Sequence, residues 1–144
     1  MQNLLNKIAV SYVDAAVAAA NNTDSDSSVV DTAGYEGVIF LVSILDSVAG
    51  GVATLTVSQG ALSNGTDMAA LASGSDALTS AVNDDINGQI LKVDVYRPRE
   101  RYVMSTITSA TQNIAFGDTV AILYGPKDQP VSHTGTVLAS PAEA

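Results

Sequence analysis

Residues of types that do covalent or metal chemistry occur in this sequence without the spacing that such chemistry needs. His133 is the only histidine among 144 residues, and cysteine is absent. It stands between Ser132 and Thr134 in a polar terminal stretch. A Ser-His-Asp relay needs an imidazole held rigidly beside a nucleophile, and a tail offers no such support. One imidazole without thiolates also falls short of a zinc centre. Asp24-x-Asp26 opens like a calcium loop, but that loop requires Gly at its sixth position and an acid at its twelfth. Counted from Asp24, those positions are Val29 and Tyr35. Asp84 and Asp85 are adjacent, so on an extended chain they point to opposite sides. Glutamate occurs only at Glu36, Glu100 and Glu143, and no pair of carboxylates is set to flank a glycosidic bond. No glycine-rich phosphate loop leads into a helix. The expectation is a protein that is not an enzyme and has no cofactor and no metal.

The one local charge feature is basic. Arg97, Arg99 and Arg101 hold three of the six basic residues, in a chain with 15 acidic residues and a formal net charge of −9. They either keep water at a hairpin end or form a docking point for an acidic partner surface, with guanidinium forks gripping carboxylates. The overall charge argues against nucleic acid as a partner, because that affinity comes mainly from neutralised phosphates. Five Tyr, two Phe and no Trp leave little aromatic surface for stacking bases or sugars.

The arginines sit between two β-rich runs. Ile90–Tyr96 alternates, with Leu91, Val93 and Val95 on one side and Lys92, Asp94 and Tyr96 on the other, the period of a half-buried strand. Arg97-Pro98-Arg99-Glu100 then turns the chain, Pro98 suiting a corner because it lacks an N–H. Arg101–Thr108 and Ala115–Tyr124 are the next two β-rich runs. Upstream, Val52–Ser58 alternates, placing Ala53, Leu55 and Val57 inward. YEGVIFLVSIL, residues 35–45, is apolar without alternation, the pattern of a central strand covered on both faces. Residues 10–20 lean to a strand, and NNTDSDSS, residues 21–28, reads as a polar loop. Residues 59–85 read as a long irregular section, with Thr66 or Asp67 placed to cap a short helix over Met68–Leu71 and a short strand or turn over Ala77–Val82.

About eight segments result, near 10–18, 27–31, 36–45, 52–59, 77–82, 89–96, 101–109 and 115–124. Many short strands with no long amphipathic helix predict an all-β fold, an antiparallel β-sandwich of the jelly-roll kind. The length suits one domain: a sandwich over 10–125, an N-terminal arm over 1–9 and an extended C-terminal tail over 126–144. In the arm, Leu4, Leu5 and Ile8 have the spacing of one helical turn, or the stretch is extended; Leu4 and Leu5 are candidate partner contacts. Lys7, Ile8-Ala9-Val10 and Ala18-Ala19-Ala20 imitate a secretory signal, but Asp14 interrupts the apolar centre. No run reaches the roughly 18 apolar residues of a membrane helix, so no membrane association is expected.

Lys92-Val93-Asp94-Val95-Tyr96-Arg97-Pro98, then Arg101-Tyr102-Val103, then Phe116-Gly117-Asp118-Thr119-Val120-Ala121-Ile122-Leu123-Tyr124-Gly125, with Val30-Asp31-Thr32 and Gly37-Val38-Ile39-Phe40 upstream, resemble head decoration (cement) proteins of tailed bacteriophages. The resemblance covers roughly residues 27–125. It implies a structural protein on the outer surface of the virion's capsid, a homotrimer over junctions between major capsid protein subunits. Attachment would rest on many weak contacts acting together. Two other readings stay open: a glycan- or host-binding sandwich on the virion, and a tail-tube or head-completion protein.

Overall fold

A computed structural model describes residues 4–133. After one 3-10 turn, Leu4–Asn6, come ten strands: β1 Ile8–Asp14, β2 Val17–Ala20, β3 Thr23–Asp26, β4 Val30–Asp31, β5 Gly37–Ser47, β6 Val52–Gly60, β7 Ala69–Thr79, β8 Ile90–Tyr96, β9 Tyr102–Ala110 and β10 Ile114–Tyr124. No α-helix occurs among the described residues. All pairings are antiparallel, in two five-stranded sheets.

Two of the strands are broken rather than separate. β1 and β2 both pair with β10, at Asp14↔Thr119 and then Val17↔Phe116. β3 and β4 both pair with β9, at Asp26↔Thr106 and then Val30↔Val103. The breaks leave eight continuous positions, four per sheet. One sheet runs β1/β2, β10, β5, β8 and the other β3/β4, β9, β6, β7. The chain thus crosses between sheets at nearly every step, only β6 and β7 being consecutive in one sheet. Taken in chain order, the eight positions lie 1-8-3-6 and 2-7-4-5, the two interleaved sheets of a jelly roll.

The core lies between the sheets. Val38, Phe40, Val42 and Ile44 point inward from β5, Ala53, Leu55 and Val57 from β6, and Leu91, Val93 and Val95 from β8, all buried. Phe116, Ile114 and Ile107 complete it from β10 and β9. Each such side chain removed from water stabilises the fold by roughly 1.5–3 kcal/mol. The alternation in β6 and β8 is the one the sequence displays.

Four sequence expectations are corrected. Residues 21–28 are not all loop: Thr23–Asp26 is an edge strand. Its carboxylates find partners across the ladder, Asp24 accepting from the Thr108 hydroxyl at 2.7 Å and Asp26 from the Thr106 hydroxyl at 2.6 Å. Residues 59–85 are not irregular throughout, since β7 occupies Ala69–Thr79. Met68–Leu71 forms no helix; the Asp67 carboxylate instead accepts from the Ala61 and Leu62 N–H groups, at 2.8 and 3.2 Å, and closes the β6–β7 loop. Finally, β5 is central but covered on one face only. Ile39 and Leu41 are half-buried on its other face, and Leu45 is 55% exposed there.

At the N-terminus, the segment read as an arm joins the sheet from Ile8, which pairs with Tyr124. The C-terminal tail is described only to residue 133; its expected course over 134–144 lies outside the described residues.

Candidate docking surface

Strand register places a set of loops at one end of the sandwich. Ile8, Tyr124, Gly37 and Tyr96 share a row across the first sheet, and Asp31, Tyr102 and Gly60 share one across the second. Beyond those rows lie residues 32–36, 61–68 and 97–101, the N-terminal turn and the start of the tail. The tail is tied down there: the Lys127 N–H donates to the Gly34 carbonyl at 2.7 Å and the Val131 N–H to the Asn6 carbonyl at 3.2 Å. His133 Nε2 lies 2.7 Å from the Leu5 carbonyl oxygen. A carbonyl only accepts, so Nε2 carries the proton, and the imidazole fastens the tail to the N-terminal turn.

The three arginines lie together on this end, but in unlike settings. Arg101 grips Asp31 at two points, Nε to Oδ1 at 2.8 Å and Nη2 to Oδ2 at 2.7 Å. The Ala33 N–H also donates to Asp31 Oδ1, at 2.9 Å. The Arg101 hydrogen bond above all holds the Asp31 carboxyl below the usual carboxylate range, with help from Ala33 and against the effect of partial burial. Arg97 stands 3.6 Å from Glu36 and lies over the Tyr96 ring, 5.1 Å from its centroid. Its backbone takes a φ of 50° at the corner, and its N–H donates to the Glu36 carbonyl at 2.7 Å. Arg99 is exposed and forms no ion pair among the described residues. Its N–H and that of Glu100 donate to Gln59 Oε1, at 3.0 and 3.3 Å, which fixes the hairpin tip against β6.

Two hollows flank the hairpin. A cleft of about 550 Å³ opens between β7 and β8, with Ala70–Gly74 on one wall and Asp94–Arg99 on the other. A second hollow of about 420 Å³ runs from Thr32 to Glu36 beneath Arg97, Arg99 and Arg101. Beside the cleft, the Tyr124 hydroxyl donates to Asp94 Oδ1 at 2.7 Å, and burial together with that carboxylate pushes the phenol's pKa up.

Leu4 is 65% exposed next to this end, in the turn that precedes β1. Leu5 is half-buried, its carbonyl occupied by His133. The sequence signalled neither Asp31 nor Gln59 as part of the surface. Asp31 lies 70 positions from Arg101 and Gln59 lies 40 from Arg99, and no local spacing announces either meeting.

Of the acids weighed for cation binding, Asp24 and Asp26 accept from Thr108 and Thr106 on the β3–β9 ladder, and Asp84 and Asp85 are engaged in loop geometry at the opposite end. Asp85 accepts from the Ser80 hydroxyl at 2.6 Å and from the Ala81 and Val82 N–H groups at 2.9 and 3.1 Å. Asp84 accepts from the Asn83 and Asn87 side-chain amides at 2.9 and 3.0 Å. Among the described residues, no three His, Asp or Glu side chains gather to hold a metal ion.

Topology and loops together define a jelly-roll sandwich with a basic hairpin at the end where both terminal segments are anchored. The architecture also appears in a solved structure described as the PBSX exported protein XepA, at a TM-score of 0.57 and 14% identity. That match covers 99% of this chain and 46% of the neighbour, so the chain spans less than half of the neighbour's length. No protein-family model matches the sequence. No curated protein sequence matches it either.

Proposed function

We propose that this chain is a structural protein of a phage virion, without enzymatic activity. It binds the outer surface of the capsid and stabilises contacts between major capsid protein subunits. The observation that carries this reading is the Arg97–Arg101 hairpin: in a chain of net charge −9, it presents Arg99, without an ion pair among the described residues, beside the anchored terminal segments. A mechanical fastener needs a rigid body, a face of charge opposite to its partner's and many small contacts, and multivalency then supplies avidity. The sandwich supplies the body, and the hairpin, Leu4 and the anchored turn supply contacts. The resemblance over residues 27–125 favours the same role; the fold neighbour, described as a PBSX exported protein, supports no more than a phage-related structural role.

A glycan-binding module draws on one observation, Tyr96, which is 59% exposed at the wall of the larger cleft. The Arg97 guanidinium lies over that ring, where a sugar would stack, so the capsid reading is preferred. A tail or head-completion role is separated from it by position in the particle. A cryo-EM map of the source virion tests the proposal. The expected result is sandwich-shaped density repeated over the outer capsid lattice; density confined to the tail or to one vertex would overturn it.

A further inference from the structure

Three of the four sheet edges are blunted. The β1/β2 edge shifts register at Asp14. β3 and β4 are only four and two residues long. β7 shifts register between Thr56↔Ser75 and Ser58↔Ala70, so residues 71–74 bulge opposite Val57. β8 is different: its seven residues pair with β5 from Ser43↔Ile90 to Gly37↔Tyr96 without a shift. An unpaired strand edge is a template for another chain, and natural sheets shorten, bulge or charge such edges.

The backbone of β8 shows which groups are open. The Arg97 N–H donates to the Glu36 carbonyl, and the Gln89 carbonyl accepts from the Ile44 N–H, so the odd-numbered residues bond towards β5. Lys92, Asp94 and Tyr96 turn their amides the other way. The Asp76 carboxylate of β7 takes the Lys92 N–H at 3.0 Å. The Asp94 and Tyr96 N–H groups have no hydrogen-bond partner among the described residues. Both residues line the cleft of about 550 Å³ between β8 and the β7 bulge. Asp76 bridges the two edges at one end of it, and Arg97 and Arg99 stand at the other. From Lys92 to Tyr96 a strand spans about 13 Å, room for about four residues of an added strand.

We infer that this cleft takes an extended acidic peptide segment of another protein, which adds to β8 as a further strand. Main-chain hydrogen bonds to an open edge supply the affinity in such a complex, and side-chain contacts supply the specificity. The charges in the cleft select an acid. Asp94, Arg97 and Arg99 line it. The Asp94 carboxylate is engaged by the Tyr124 hydroxyl. Arg97 has only Glu36 at 3.6 Å, and Arg99 has no ion pair among the described residues. Glu36 and Glu100 border the other hollow. A carboxylate at this end therefore meets two guanidinium groups, which form the stronger, charge-assisted hydrogen bonds. The net charge of −9 opposes an acidic partner at a distance, but salt screens that repulsion beyond about 8 Å. The inference does not rest on the capsid reading, since a segment of any protein with this chemistry satisfies it.

The probe is a synthetic peptide of alternating Thr and Glu, added to the full chain and followed by calorimetry and by amide NMR. The expected result is saturable binding, with the Asp94 and Tyr96 amides shifted and protected from hydrogen exchange. The same peptide N-methylated at alternate residues, or with Lys in place of Glu, is expected to bind about tenfold or more weakly, as is the parent peptide to Arg99→Glu. Absence of binding would overturn the inference, as would unmoved Asp94 and Tyr96 amides. Equal binding of the N-methylated peptide would overturn strand addition, and equal binding of the lysine peptide would overturn the acidic partner. Peptide capture by a chain that binds no capsid would support the inference and overturn the capsid reading; capsid binding by a chain that takes no peptide would do the reverse.

Discussion

Arg101 and Asp31 face each other across the β4–β9 edge in a two-point grip of 2.8 and 2.7 Å. This pair divides the arginine cluster. Arg101 is engaged within the chain, Arg97 leans on Glu36, and Arg99 has no ion pair among the described residues. Both members of the Arg101–Asp31 pair are about half exposed, and exposed pairs contribute little, about 0–1 kcal/mol. Arg101→Ala is therefore expected to change stability little and to leave capsid affinity nearly unchanged. Arg99→Glu is expected to leave the urea midpoint unchanged and to weaken capsid binding, more so at low salt than at high salt. Titrations of the two variants against undecorated capsids separate these roles.

Gly37 is where the first sheet admits no side chain. A Cβ there would meet the Tyr124 ring and come within 2.7 Å of the Val95 carbonyl oxygen. The carbonyl belongs to a paired strand and cannot retreat. Gly37→Ala is expected to cost about 1–3 kcal/mol, the usual range for overpacking, and to free the Tyr124 hydroxyl from Asp94. Chemical denaturation gives the first quantity, and the absorbance titration of tyrosine gives the second.

Deletion of core volume should cost more. Phe40 is fully buried on β5 between the sheets. Phe40→Ala is expected to destabilise by about 3–5 kcal/mol. Tyr96→Ala, on the outward side of the neighbouring strand and 59% exposed, is expected to have a far smaller effect. Thermal melts of the pair check the difference.

Acid should weaken the fold through two carboxylates, Asp31 on β4 and Asp85 in the loop after β7. Hydrogen bonds from Arg101 to Asp31 and from Ser80 to Asp85 hold both folded-state pKa values below the ordinary one. The unfolded chain therefore binds their protons first. Their contribution is complete above about pH 5, where both states are ionised, and is lost as the pH falls through and below about 4. Asp31→Asn and Asp85→Asn should each be less stable than the parent at neutral pH, and the deficit should shrink towards pH 3. Urea midpoints across that range, taken as differences from the parent, cancel the repulsion common to all carboxylates. Tyr124 acts in the opposite sense: its pKa is raised in the fold, so its contribution is present below about pH 10 and is lost above it.

The sequence made some strands plain and hid others, for physical reasons. Leu91, Val93 and Val95 alternate with Lys92, Asp94 and Tyr96 because β8 has one face in the core, and the two-residue period records it. β3 hid because an edge strand satisfies its polar side chains through neighbours: Asp24 and Asp26 look like loop residues until Thr108 and Thr106 are set beside them. β7 hid behind small residues and a break in register between Thr56↔Ser75 and Ser58↔Ala70. The basic hairpin was legible as three arginines, but its partition was not, since Asp31 and Glu36 reach it only through the fold. The apolar run at 35–45 correctly announced a central strand. Its demand for cover on both sides exceeds what one chain provides.

The proposed attachment to a capsid is tested most directly by adding purified chain to expanded capsids of the source particle that lack it. The account predicts saturable binding at a fixed ratio to the major capsid protein, with a rise in capsid Tm that the Arg99→Glu variant reproduces only at higher concentration. Capsids that take up no protein, or that bind it without any gain in Tm, would contradict it.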